Sequence, residues 1–233
     1  MKKTVQYAFY KSLPVMFGYV FLGTAFGILL QQAGYGLPWA LAGSLFIYAG
    51  SMQFVLVTFL SSGTALTTAA VMTALINGRH LFYGLSFVEK FKKMGKYYPY
   101  MIFSLTDETY SVLCSVKPEE GVDERKAMFL ISLFDQSYWV LGSVLGSVLG
   151  QVMPLDFTGI DFSMTALFVV IFLEQWKDFP SHIPAVTGLI SALVFLILLG
   201  PDRFILPSLI MTVAMLMVLK RRINGEQERR AEI

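Results

Sequence analysis

Charge is missing from most of the first third of this 233-residue sequence: between Lys11 and Arg79 there is no Lys, Arg, Asp or Glu. Roughly 20 apolar residues cross a bilayer, and this run is more than three times as long. A water-soluble fold needs charge spread over its surface, so solubility is excluded. Shorter charge-free runs, Gln136 to Leu155, Phe179 to Pro201 and Phe204 to Leu219, continue the pattern to the far end. Cysteine is nearly absent too. Cys114 alone allows no intrachain disulfide, and two histidines without CxxC or HExxH spacing exclude a zinc site. Neither Cys114 nor Ser104 has a base at helical spacing, so the chain reads as no enzyme and as needing no cofactor. The formal charge of +2 is too small and scattered for a nucleic-acid surface. The ten-residue alternation of an outer-membrane barrel is absent as well.

What is present is an all-α polytopic membrane protein, one transmembrane domain over residues 1–233, with roughly seven to eight transmembrane helices. Lys2 and Lys3 precede an apolar run, as in a secretory signal, but the run continues through Pro14 and Gly18 without a cleavage site and reads as the first span. Spans are expected near Ser12 to Gln32, Pro38 to Leu60, Tyr97 to Ser115, Ala127 to Gln151, Ser163 to Gln175, Ile183 to Leu199 and Phe204 to Leu219. Pro14 then falls in the first turn of its helix. Gly63 to Asn77 and Leu81 to Val88 are each too short to cross at roughly 1.5 Å per residue. Together they form one broken helix or a re-entrant hairpin, with Asn77-Gly78-Arg79-His80 at the break. Irregular backbone at membrane depth survives only against protein or a watery cavity, which makes the break a candidate interior.

Lys2, Lys3 and Lys11 put the N-terminus in the cytoplasm, and Lys90, Lys92, Lys93 and Lys96 put the loop before Tyr97 there too. The span from Tyr97 then exits, so the loop Lys117 to Lys126 lies outside. Four further spans then put the C-terminus outside, against the inward preference of Lys220-Arg221-Arg222.

The chain also resembles itself at an offset of about 120 residues: Leu22-Gly23-Thr24-Ala25-Phe26-Gly27 recurs as Leu141-Gly142-Ser143-Val144-Leu145-Gly146, and Leu45-Phe46 with Gln53-Phe54 as Leu167-Phe168 with Gln175-Trp176. Two copies, about 12–115 and 127–219, follow. With the orientation above the copies are inverted, an architecture of secondary transporters that bind substrate at the midplane. Gly18, Gly23 and Gly27 form one small-residue stripe and Gly142, Gly146 and Gly150 another, for close helix packing.

Ionisable groups at membrane depth are costly and mark function by default. Asp107 and Glu108 lie mid-span, their side chains about 100° apart, so one can face a pathway while the other pairs with a neighbouring helix. They are candidates for proton coupling or ammonium pairing, against a structural ion pair with Arg79. Arg79 can hold a carboxylate bidentately and His80 can relay protons, or both can satisfy the carbonyls of the break. Gly50, Ser51 and Gln53 form a small, polar interruption of the second span that suits a cavity wall or ordinary packing. Asp135 reads as interfacial, and Glu174 and His182 as groups of the membrane surface.

Ser12-Leu13-Pro14, Tyr48-Ala49-Gly50-Ser51-Met52-Gln53-Phe54, Asn77-Gly78-Arg79-His80-Leu81-Phe82-Tyr83-Gly84, Leu105-Thr106-Asp107-Glu108 and Thr165-Ala166-Leu167-Phe168, in that order, resemble the AzlC family, the large subunit of bacterial branched-chain amino acid exporters. The resemblance implies an inner-membrane exporter of amino acids such as valine, leucine and isoleucine, driven by an ion gradient and working with a small AzlD-type membrane subunit. It implies a substrate site at Gln53, Gly50, Ser51, Asn77, Arg79 and His80, with Asp107 and Glu108 beside it. A channel or assembly subunit stays as the alternative.

Overall fold

The computed structural model describes residues 2–116, 120–152, 181–200 and 204–231, with positions 162, 165, 166, 169, 172, 173, 176 and 177 between them; the side chains of 79, 81–83, 205, 206 and 221–231 lie outside it. Among the described residues the chain is entirely helical. In order it forms α1 (Lys2–Gln32), α2 (Leu37–Ala42) running on through a π turn (Gly43–Ile47), α3 (Gly50–Ser62), α4 (Leu66–Asn77), α5 (Arg79–Lys92), α6 (Tyr98–Phe103), α7 (Asp107–Cys114), α8 (Glu124–Val152), α9 (Ile183–Leu199) and α10 (Ile205–Ala231). Two of them, α1 and α8, are long and apolar enough to cross a membrane. The chain divides into two compact units, Met1–Ala69 with Ile76–Met164, and Ala70–Leu75 with Thr165–Ile233.

The first unit is organised by α1 and α8, which lie side by side. At one end the Asp123 amide donates to the Thr4 hydroxyl at 3.2 Å and Lys3 donates to the Glu120 carbonyl. At the other, Ser147 donates to the Gln31 side chain at 3.2 Å. The two helices therefore run parallel. Between these ends the backbones touch: a Cβ on Gly23 would lie 2.9 Å from the Trp139 carbonyl, and one on Gly142 would lie 2.7 Å from the Val20 carbonyl. Likewise Gly27 abuts Ser143 and Gly146 abuts Thr24. Val20, Gly23, Thr24 and Gly27 are the repeat counterparts of Trp139, Gly142, Ser143 and Gly146, so each contact recurs with its partners exchanged. The hydroxyls obey the same exchange, Thr24 donating to the Val20 carbonyl at 2.7 Å and Ser143 to the Trp139 carbonyl at 2.8 Å. Such reciprocity is what a two-fold relation produces. Gly18 stands outside this interface, with nothing within 4 Å.

Two short hairpins enter beside this pair from opposite ends. The chain leaves α1 at the far end, descends α2, breaks at Tyr48 and turns back along α3. The turn is visible where a Cβ on Gly43 would lie 3.4 Å from Gln53 Nε2, the two residues being five to either side of Tyr48, and where Phe54 returns to the Phe26 ring at 6.0 Å. The expected crossing from Pro38 to Leu60 is thus a re-entrant hairpin. The second hairpin is α6 and α7. Its two legs of 6 and 8 residues rise only about 9 and 12 Å against a hydrocarbon core of about 30 Å. Met101 on one leg and Leu113 on the other pack into the same cluster as Tyr7, Ala8, Ala127 and Met128, near the beginnings of α1 and α8. The expected crossing from Tyr97 to Ser115 is therefore re-entrant as well.

Between the hairpins α4 and α5 return the chain to the starting end, where Lys90 pairs with Glu124 at 2.6 Å. Of the two readings of this stretch, the broken helix is the one formed, interrupted at Gly78. Because α6 and α7 do not cross, Glu120 to Glu124 share the face of the N-terminus and are not outside. The antiparallel relation expected of an inverted repeat is corrected by the same fact: α8 starts where α1 starts and runs with it. Asp123 anchors that start. Its carboxylate accepts the Lys126 amide at 3.2 Å, which holds the Asp123 carboxyl below the ordinary carboxylate range.

α1 also begins ten residues before Ser12, so Pro14 lies inside it and not in its first turn. The missing proline N–H leaves the Tyr10 carbonyl without its helical donor. In the second unit α9 and α10 pack together, where a Cβ on Gly188 would lie 3.8 Å from the Thr212 methyl. Leu167, Phe168, Glu174 and Gln175, which carry sequence expectations for the second copy, lie outside the described residues. His182 stacks on the Trp176 ring at 4.1 Å.

Candidate functional site

The tips of the two hairpins meet roughly 22 Å along α1 from Thr4, at Tyr19. From the α2–α3 hairpin comes Tyr48, whose ring is 6.4 Å from Tyr19 and 6.3 Å from Phe103. Tyr48 holds φ 42, and it is the non-glycine residue with positive φ among those described. A left-handed tyrosine costs about 1–2 kcal/mol, and strain of this kind is retained where a backbone break is useful. The break leaves the Leu45 carbonyl free of its helical donor, and Gln136 on α8 donates to it at 3.2 Å. The same Gln136 accepts from the Tyr100 hydroxyl on α6 at 2.8 Å, so one side chain ties both hairpins to α8.

From the α6–α7 hairpin comes Thr106. Its hydroxyl accepts the Thr109 amide at 3.3 Å and caps α7, the reason the helix restarts at Asp107. The first turn of α7 then presents Asp107 and Glu108 in two directions. Asp107 faces α5, its Oδ1 3.8 Å from His80 Nε2, while the other ring nitrogen of His80 is 3.2 Å from the Asn77 carbonyl. Glu108 faces α1 and accepts from the Tyr19 hydroxyl at 2.8 Å. Tyr19 is 2.6 Å from the Thr106 hydroxyl, Thr106 donates to the Thr109 hydroxyl at 3.0 Å, and Thr109 donates to Asp135 Oδ2 at 2.9 Å. Asp135 is 0% exposed, and its bond to Thr109 at the hairpin tip sets it inward of the interfacial place expected of it. It lies well inside α8, facing the hairpin tip.

A cavity of about 400 Å³ opens beside this network, between α5 and α6. Asn77 and His80 form its polar end, and Leu85, Val88, Phe91, Ile102 and Leu105 its apolar wall. The size falls in the roughly 300–1,000 Å³ range of small-molecule sites, and a mostly apolar wall with few polar groups is their usual chemistry. Leu85 and Ile102 are exposed and make the rim.

Of the residues singled out in the sequence, Asn77 and His80 line the cavity and Asp107 joins them through His80. The Arg79 side chain lies outside the described residues. Glu108 belongs to the hydroxyl network. Gly50, Ser51 and Gln53 form a separate group at the start of α3: a Cβ on Gly50 would lie 3.6 Å from the Trp139 ring, and Gln53, fully buried, accepts the Ala49 amide at 3.2 Å. Sequence reasoning missed Tyr19, Thr106, Thr109, Asp135 and Gln136. For Asp135 a signal existed, a lone carboxylate eleven residues into a 29-residue helix; for the hydroxyls there was none. Among the described residues no three His, Cys, Asp or Glu converge on a metal-sized site.

The family model described as AzlC protein matches residues 14–153, which include both hairpins and the crossing of α1 and α8. An uncharacterized membrane protein of Helicobacter pylori is 40% identical over 222 residues, covering 95% of this chain and 97% of that protein. The Bacillus subtilis branched-chain amino acid transport protein AzlC is 37% identical over 217 residues, covering 93% and 85%. The Escherichia coli inner membrane protein YgaZ is 28% identical over 176 residues, covering 71% of each. No solved structure matches the chain. With these relatives and these apolar helices, it is an inner-membrane protein and belongs to the AzlC family.

Proposed function

We propose that the protein exports branched-chain or related small apolar amino acids, as a secondary carrier coupled to an ion or proton gradient. The observation that carries this reading is the cavity beside the broken helix. An apolar wall suits a branched side chain, and a polar end at Asn77 and His80, with Asp107 behind His80 at 3.8 Å, suits a zwitterion that must shed water to cross lipid. In this reading Arg79 holds the substrate carboxylate, Asp107 pairs with the ammonium and Glu108 serves coupling. Gln53, Gly50 and Ser51 wall the passage where the α2–α3 hairpin ends. The name of the Bacillus subtilis relative supports the substrate class.

The whole chain acts as one transporter domain of two copies, about 12–115 and 127–219, and the exchanged glycine contacts of α1 and α8 support that division. The exposed rim at Leu85 and Ile102 leaves the cavity a side for a small AzlD-type membrane subunit to close. Two hairpins meeting from opposite faces also suit a channel, the second reading. Counterflow in proteoliposomes separates them. Trans L-valine accelerates uptake of labelled L-valine through a carrier and leaves a channel unaffected. A panel of amino acids, with and without the small subunit, tests substrate and partner; absence of transport for every branched-chain amino acid in both preparations sinks the reading.

A further inference from the structure

Glu108, Tyr19, Thr106, Thr109 and Asp135 present an unbroken row of oxygens joined by four contacts of 2.8, 2.6, 3.0 and 2.9 Å. Each contact at such a distance requires one hydrogen between its oxygens. The three hydroxyls supply three. If both carboxylates were ionised, Tyr19 would donate to Glu108, Thr106 to Thr109 and Thr109 to Asp135, leaving two lone pairs opposed at 2.6 Å between Tyr19 and Thr106. A fourth hydrogen removes that conflict, and it has to come from one of the two acids.

We propose that Glu108 and Asp135 hold a single proton between them through the hydroxyls of Tyr19, Thr106 and Thr109, and that this proton is the coupling ion. The second half rests on the carrier reading above. In one state Glu108 is the acid and donates to Tyr19, Tyr19 to Thr106, Thr106 to Thr109 and Thr109 to the Asp135 carboxylate. In the other Asp135 is the acid and every bond is reversed. Passage between them breaks the O–H bond at one carboxyl, forms one at the other and shifts each hydroxyl proton by one contact, with nothing gained or lost. The Thr106 oxygen also accepts the Thr109 amide, which leaves its own proton for Thr109, as the first state requires.

A second observation comes from the opposite hairpin. The Tyr48 hydroxyl is buried, faces Thr109 and Asp135, and makes no hydrogen bond of good geometry among the described residues. Asp135 Oδ1 is likewise unpartnered there. Acceptor and donor capacity is thus left over at the Asp135 end, where a proton would be received or released. Among the described residues, the titratable groups facing the row include Tyr19 on α1, Tyr48 at the α2–α3 break, Tyr100 on α6 and the two acids themselves. The His80–Asp107 pair occupies the other side of the first turn of α7.

Infrared spectra of the full-length protein in lipid, at neutral pH, test the shared proton directly. A buried carboxylic-acid C=O band is expected in the wild type and in Asp107→Asn, and its loss in Glu108→Gln/Asp135→Asn; an unchanged band in the double variant overturns the proposal. For coupling, proteoliposomes under an imposed pH gradient should accumulate L-valine. Thr109→Val, which keeps shape and removes the hydroxyl, should lose this accumulation, and Thr109→Ser should keep it. Accumulation by Thr109→Val equal to the wild type overturns the relay. If the wild type shows no L-valine counterflow, the carrier reading falls while the infrared result still decides the shared proton.

Discussion

Gly23 and Gly142 meet as counterparts: a Cβ on Gly23 would lie 3.2 Å from the Gly142 Cα, and one on Gly142 would lie 3.1 Å from the Gly23 Cα. Neither position has room for a side chain, because each faces the backbone of the other helix. Lipid offers no hydrophobic force to push two helices together, so this packing and its dispersion energy hold α1 against α8.

Alanine at Gly27 or Gly146 should therefore separate the pair. A methyl at Gly146 would overlap the Thr24 carbonyl, an obstacle of backbone that cannot rotate away. Overpacking of this kind costs about 1–3 kcal/mol. Thermal unfolding in detergent should show a lower midpoint for Gly27→Ala and Gly146→Ala and an unchanged or higher one for Gly18→Ala, where the space is open and alanine is the better helix former. Equal midpoints for all three would refute the contact.

The hairpin at α6 and α7 predicts where a label can reach. With Cys114, the sole cysteine, replaced by serine, a cysteine at Glu120 should react with an impermeant maleimide only from the cytoplasmic side, and one at Thr64 only from the other. Labelling of Glu120→Cys from outside would restore α6–α7 as a crossing.

Behind His80, next to the polar end of the cavity, Asp107→Asn should raise the KM for L-valine about tenfold. That corresponds to one charge-assisted hydrogen bond of about 1.4 kcal/mol. Uptake kinetics at matched protein levels measure it, and an unchanged KM removes Asp107 from substrate binding.

Filling the cavity distinguishes its wall from its polar end. Ile102→Trp or Leu85→Trp adds bulk at the rim and should reduce transport of leucine more than transport of alanine. Competition assays with the two amino acids read the ratio; equal loss for both would mean that the substrate lies elsewhere.

The membrane location, the helical class and the family were legible in the sequence because each rests on local patterns: charge-free runs, positive flanks and contiguous motifs. Asn77, His80 and Asp107 were legible for a related reason, since polar groups within apolar runs stand out wherever the chain goes. The small-residue stripes were visible as well, but not that Gly23 would meet Gly142 while Gly18 meets nothing. Asp135 was visible as a lone carboxylate and misplaced, because depth in a membrane depends on where a helix begins.

Topology was the part that the sequence alone left open. An apolar stretch of about 20 residues has the same composition whether it crosses or turns back, and only contacts distant in sequence tell the two apart. Gly43 against Gln53 and Met101 beside Leu113 close the two hairpins, and the second of them reverses the parity of everything after Val116. The row of hydroxyls from Glu108 to Asp135 joins three helices and a turn. Serine, threonine and tyrosine carry no signal of partnership in sequence, since their hydrogen bonds depend on tertiary distance. Composition and motif thus determined the solvent this protein lives in and the family it belongs to. The fold decided which apolar segments cross, which acids share a network and where a cavity opens.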